Sequence, residues 1–330
     1  MLDLIIRNAR TIEETIIEIG IEKGKITQIA PEIKEDTHEE LILDEGQYIS
    51  AGWIDDHVHC FQEMELYYDY PDQVGVSKGV TTIIDAGTTG AENIHRFHAP
   101  AQEAKTSVFA LLNISKYGIV EQDELADLSK VEEALVKKTI DAYPDFIVGI
   151  KARMSRTVIG QNGIKPLLLA KQIQMQNRNL PLMCHIGSAP PELTEILEIL
   201  EHGDVLTHFF NGKPNGLLDT NGEMKAISWD AYKKGVIFDI GHGTDSFNFH
   251  VAETAFKEKM KAHMISTDIY IRNREKGPVY DMATTMEKLF VVGYSWKDII
   301  DRVTINPAEH FNLNRKGQLK KEYDADMTIF

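Results

Sequence analysis

Histidine, lysine and aspartate recur at the ends of separate apolar runs in this chain. His57 and His59 close ISAGWIDDHVH, and Lys151 lies in FIVGIKARM. His185 follows in PLMCHIG, His208 in DVLTHFF, and Asp268 in HMISTD. Side chains of these types are costly to bury unless they are paired or bound to metal. Imidazole suits zinc, iron and nickel, and carboxylates also serve harder metals. A His-x-His pair on a strand would point to opposite faces; at a strand end the backbone curls and both rings can turn to one ion. Taken alone, the pair could be two unrelated histidines, but His185, His208 and Asp268 at later strand ends favour a metal centre. Lys151 discriminates further. An ammonium would be repelled by a divalent cation, whereas an amine that has added carbon dioxide is an anionic carbamate able to bridge two metals. The competing reading of Lys151 is a lysine that snorkels from its strand end.

The elements that must position these residues follow from the apolar pattern. Eight short runs read as parallel strands covered on both faces: Tyr48–His59, Thr81–Gly87, Ser107–Ile114, Phe146–Met154, Pro181–Gly187, Asp204–Asn211, Val236–Gly243 and His263–Asp268. Helix-like stretches separate most of them, such as Ser129–Ala142 and Pro191–Glu201. The alternation predicts an α/β fold, a (β/α)₈ barrel over residues 50–312, whose active site lies at the C-terminal ends of its strands. Residues 1–49 alternate with period 2 and turn at Glu22-Lys23-Gly24-Lys25. Together with residues 313–330, which end in the strand-like DADMTIF, they predict a small β-sandwich made by both chain ends. Because the last run stops in mid-strand, we expect that part of this module is missing and one edge is left unpaired.

Composition limits the partners. Lys and Arg number 35 against 51 Asp and Glu, a net charge of −16. So acidic a surface disfavours nucleic acid and anionic membranes. No apolar segment reaches the length of a membrane span. Two cysteines, Cys60 and Cys184, make no disulfide framework, so a cytoplasmic location is expected. The expected partner is a small-molecule substrate, and barrels of this kind often form homo-oligomers.

The motifs LIIRNARTI, GKITQIA, ISAGWIDDHVHC, GVTTIIDAGTTG, NPAEHFNL and DADMTIF, with the strand ends above, resemble the amidohydrolase superfamily. The similarity is to its binuclear branch with a carboxylated lysine, which includes dihydroorotases, hydantoinases, D-aminoacylases and phosphotriesterases. The resemblance implies two divalent metal ions, with zinc the expected metal. His57, His59 and Asp268 would hold the more buried ion and His185 and His208 the more exposed one, with carboxylated Lys151 and a hydroxide bridging them. It implies hydrolysis in which that hydroxide attacks an acyl carbon and Asp268 relays its proton to the leaving group. Dihydroorotases usually carry arginine two residues after the His-x-His pair, where this chain has Phe61. Adenine deaminases usually have glutamate in the place of Lys151. The run STDIYIRNREKGPVYDMATTMEKL resembles a group that looks like deacetylases or esterases of small N-acetyl or O-acetyl carboxylic acids. A small carboxylate-bearing acyl amide or ester is therefore the expected substrate. Arg153, two residues beyond Lys151, is a candidate anchor for that carboxylate. Arg272 and Arg274 are further candidates, and His242 could contact substrate or orient Asp268. Tyr117 and Asn113 follow the third strand. Asp85 is expected to be structural, and Asp55 or Asp56 could orient a ligand imidazole. The alternatives are a cyclic amide hydrolase of dihydroorotase or hydantoinase type, an adenine deaminase, and a scaffold protein without activity.

Overall fold

A computed structural model describes residues 1–330. The first residues form a four-stranded mixed sheet from β1 (Leu2–Arg10), β2 (Ile16–Glu22), β3 (Lys25–Ala30) and β4 (Thr37–Ile42), in the order β3-β2-β1-β4. β2 and β3 meet at the expected turn, where Lys23 and Gly24 both adopt positive φ. The alternation of their side chains buries Ile6, Ile19, Ile21 and Ile26 against Leu43 and Ile49.

The run from Tyr48 to His59 is two strands rather than one. β5 (Ile49–Ala51) and β6 (Trp53–Val58) are separated by Gly52, where a Cβ would lie 2.0 Å from Thr81 Oγ1. Only glycine allows that approach, so the chain can change sheets there.

Six more parallel strands follow β6: β7 (Val80–Ala86), β8 (Ser107–Asn113), β9 (Ile147–Met154), β10 (Leu182–Ile186), β11 (Val205–Thr207) and β12 (Ile237–Asp239). They lie side by side in sequence order. Helices such as Ile94–Glu103, Glu133–Ala142, Lys165–Gln176 and Leu193–Ile199 connect them. Leu193–Ile199 starts at a capping box of Glu192 and Glu195 and buries Leu193, Ile196 and Leu197.

The expected eighth strand is present as an extended segment without a regular ladder. Parallel bridges join Asp239 to Met264 on one side and Val58 to Ile269 on the other, and so close the ring. The segment cannot run on as a strand because Thr267 N–H goes to Asp55 Oδ1 (3.0 Å) and Asp268 has φ 50°. The bore is filled by Ile54, Ile84, Leu111, Met183, Val205 and Met264, one from each of six staves. β13 (Met327–Ile329) pairs antiparallel with β5, and Asp324 bridges Lys25. No helix is long and apolar enough to cross a membrane.

Candidate metal centre

At the C-terminal ends of the barrel strands, His57, His59, Lys151, His185 and Asp268 line one cavity of about 380 Å³. His208 lies just behind it, its ring 4.5 Å from that of His185 and 5.1 Å from that of His57. His57 and His59 turn the same way because the register of β6 on β7 slips between Asp55 and Val58, which resets the alternation. His57 Nε2 and His59 Nε2 lie 3.5 and 3.0 Å from the same oxygen, Asp268 Oδ1. The potential ligand atoms of His57, His208 and Asp268 all fall within 4.8 Å of one another, so this group could hold a metal ion.

Hydrogen bonds fix three of the imidazoles in one tautomer. Thr207 Oγ1 donates to Asp239 Oδ2 (2.7 Å), so it accepts from His57 Nδ1 at 2.9 Å. Thr88 Oγ1 donates to Asp85 Oδ2 (2.9 Å) and so accepts from His59 Nδ1 at 2.8 Å. His208 Nδ1 donates to the Gly241 carbonyl at 2.6 Å. In a neutral ring held this way Nε2 keeps its lone pair. Burial, then the charge of Lys151, holds His57 well below the ordinary imidazole range, and burial brings His208 to about 4. His57 and His208 are therefore unprotonated, and the Nε2 atoms of His57 and His59 face one carboxylate oxygen at 3.5 and 3.0 Å. This donor set would fit a cation held between the imidazoles and the carboxylate.

Burial also lowers Lys151 to about 8, against the pull of Asp268 and Asp239. Its Nζ lies 3.2 Å from His57 Nε2 and 3.1 Å from Met183 Sδ, and it makes no ion pair. Burial would raise Asp268, but the imidazole of His59 beside it and the charge of Lys151 hold it below the usual carboxylate range. Asp268 and His208 both have positive φ, 50° and 70°. Glycines give them room: a Cβ on Gly243 would lie 2.4 Å from Asp268 Oδ2, and one on Gly241 would lie 2.8 Å from His208 Nδ1.

The remaining candidates are placed variously. Arg153 reaches the cavity, but its Nε and Nη2 bond Glu124 at 2.7 and 2.6 Å. Arg272 lines the cavity without a partner. His242 does not line it; its Nε2 meets Lys288 Nζ at 2.7 Å and its ring stacks on Phe247. Arg274 pairs with Asp69, 2.7 Å away, rather than reaching over the mouth. Neither Asp55 nor Asp56 touches an imidazole. Asp55 binds Thr267 and the His57 backbone, and both oxygens of Asp56 are buried without a partner. Asp85 and Asp239 orient the rings instead, each through a threonine. Phe61 is buried against Phe97.

Tyr67, Glu124, Lys213, Asp245 and Tyr270 did not emerge from the sequence. They sit in loops with no periodic pattern. Thr88 and Thr207 had a signal, since one lies in the GTTG motif and the other immediately precedes His208.

Residues 48–330 match the model of the amidohydrolase family. A protein of Enterococcus faecalis (strain ATCC 700802 / V583) described as a deacetylase is 66% identical over 329 residues, covering 99% of this chain and 89% of that protein. Among solved structures, an adenine deaminase superimposes with a TM-score of 0.98 at 66% identity, covering 100% of this chain and 90% of the other. A dihydroorotase superimposes with a TM-score of 0.91 at 31% identity, covering 100% and 88%.

Proposed function

The chain belongs to the amidohydrolase family as one of its hydrolases, and on that premise we propose that it is a metal-dependent deacetylase of small acyl amides or esters that carry a carboxylate. The observation that carries this reading is the convergence of the His57 and His59 Nε2 atoms on one oxygen of Asp268 beside a buried lysine that makes no ion pair. His57, His59 and Asp268 would hold one divalent cation, and His185 and His208 a second, with zinc the expected metal. Lys151 would bridge the two as a carbamate: its unprotonated amine forms a bond to the carbon of carbon dioxide and loses a proton. Two such cations, when bound, would lower the pKa of a shared water toward neutral and polarise an acyl oxygen. Asp268 takes the proton of the attacking water and delivers it to the leaving nitrogen or oxygen. The fixed tautomers of His57, His59 and His208 keep their lone pairs turned inward throughout.

Metal analysis of the purified protein, coupled to acetate release from N-acetyl amino acids and O-acetyl hydroxy acids, tests this reading. About two metals per chain with acetate release is the expected result; absence of both would overturn it. Asp268→Asn should keep most of the metal and lose turnover by about 100-fold or more. An undiminished rate would remove Asp268 from the proton relay. A second reading, adenine deamination, is favoured by the description of the solved structure at 66% identity. It predicts ammonia from adenine and no acetate from the acyl panel.

A further inference from the structure

Tyr67, Arg153 and Arg272 face the cavity with hydrogen-bond donors that have no acceptor. Tyr67, in the loop after β6, is half-buried, with its ring 6.1 Å from His59 and edge-on to Tyr270 at 5.0 Å. The Tyr270 hydroxyl has Thr244 Oγ1 at 3.1 Å, whereas the Tyr67 hydroxyl bonds nothing. Arg153 is locked from behind. Glu124, fully buried, takes its Nε and Nη2, and the Gln122 carbonyl takes Nη2 again at 3.2 Å. Nη1 is left over. Arg272, on the loop after Asp268, has no hydrogen bond or ion pair at all.

From this geometry we infer that Tyr67 Oη, Arg153 Nη1 and Arg272 form the subsite that receives the substrate's carboxylate, with Glu124 as the positioning residue that sets the Arg153 fork. The inference rests on the acyl-hydrolysis reading above. A carboxylate accepts several hydrogen bonds through its two oxygens, and guanidinium and phenol donors match it. Burial raises the Tyr67 phenol above its ordinary range, while the charges of Arg153 and Arg272 pull it down. Lys213 and Asp245 also face the cavity and neither is paired. The substrate class is then a small N-acyl or O-acyl carboxylic acid bound by its carboxylate under Tyr67, with its acyl carbon toward Asp268.

The test uses the metal-loaded full chain with N-acetyl amino acids and their carboxamides, which differ only in the anchored group. The wild type should prefer the acids by about 100-fold in kcat/KM. Arg272→Gln alters an exposed side chain and should abolish that preference. Tyr67→Phe is nearly isosteric and should lower kcat/KM for the acids about tenfold, mostly through KM. Glu124→Gln should raise KM for the acids more than it lowers kcat. Equal treatment of acid and carboxamide by the wild type, or an undiminished preference in both Arg272→Gln and Tyr67→Phe, overturns the subsite while leaving acyl hydrolysis intact. If neither compound is turned over, calorimetric binding of the N-acetyl amino acids decides. Acid binding that is lost in Arg272→Gln upholds the subsite even as the deacetylase reading fails, and no binding to the wild type overturns it.

Discussion

The residues of the candidate metal centre are held less by their own strands than by threonines and glycines beside them. Thr207 is the clearest case. Its hydroxyl receives His57 Nδ1 and passes its own proton to Asp239, which Ser266 also serves at 2.7 Å. Replacing Thr207 by Val keeps the volume and removes both bonds. His57 Nδ1 is then a buried donor without a partner, and the ring is free to turn or change tautomer. Thr207→Val should cost about 1–3 kcal/mol of stability and weaken metal binding about 10- to 100-fold. Chelator competition and urea denaturation read the two effects. Undiminished metal affinity would mean that the ring is held by packing rather than by this bond. His-x-His and Lys151 stood out in the sequence because their types are improbable at buried strand ends. Thr207 is an ordinary strand residue, and its partners lie far off in the chain: it is 150 positions from His57 and 32 from Asp239. No local pattern carries such a pairing.

At the scale of elements, the alternation of apolar runs and helical stretches was legible, but the limits of the strands were not. β11 stops at Thr207 because His208 adopts φ 70°, and the eighth stave stays irregular because Asp268 adopts φ 50°. Those conformations serve the site, and an apolar run does not reveal them. The N-terminal start of that stave carries a separate liability. His263 Nδ1 accepts the Phe238 N–H at 2.9 Å, and His310 Nε2 in the helix Ile305–His310 is buried without a partner. Burial, then the charge of Arg302, depresses His263 to about 4. Burial, then His263 and His202, depresses His310 to about 4. Unfolding restores both to the ordinary value, about 6.5. Their stabilisation is therefore full above that value and is lost as pH falls toward 4, since only the unfolded chain binds the protons in that window. Each should contribute a slope of about 1.4 kcal/mol per pH unit. Urea midpoints at pH 7 and pH 5 measure it. His263→Asn, whose Oδ1 can accept the Phe238 N–H, should flatten the slope by about one histidine's share; an unaltered slope would assign acid instability to other groups.

Across the whole molecule, the chain's two ends are joined to the barrel by one aromatic cluster. Phe330 exchanges backbone hydrogen bonds with Tyr48, at 2.8 and 3.0 Å. Its ring lies 5.5 Å from Trp53 and from Trp296, and 6.1 Å from Tyr48. Trp53 opens β6, the strand whose far end carries His57, so the cluster and the metal centre share one stave and sit at opposite ends of it. Four residue steps along the strand separate Trp53 from His57 by about 13 Å. That distance is enough to uncouple packing at one end from geometry at the other, provided β6 is held between them, and the interior packing of Ile54 and the Asp55–Thr267 bonds hold it. Phe330→Ala should then lower stability by about 1–2 kcal/mol, the share expected of a half-buried aromatic ring, while metal content stays at the wild-type level. Two of the three tryptophans line the cluster, so their emission should shift in the folded variant and report its unfolding. Loss of metal together with the ring would show that β6 transmits strain along its length. Unchanged stability would mean that the backbone pairing of β13 with β5 fastens the chain end without help from the aromatic rings.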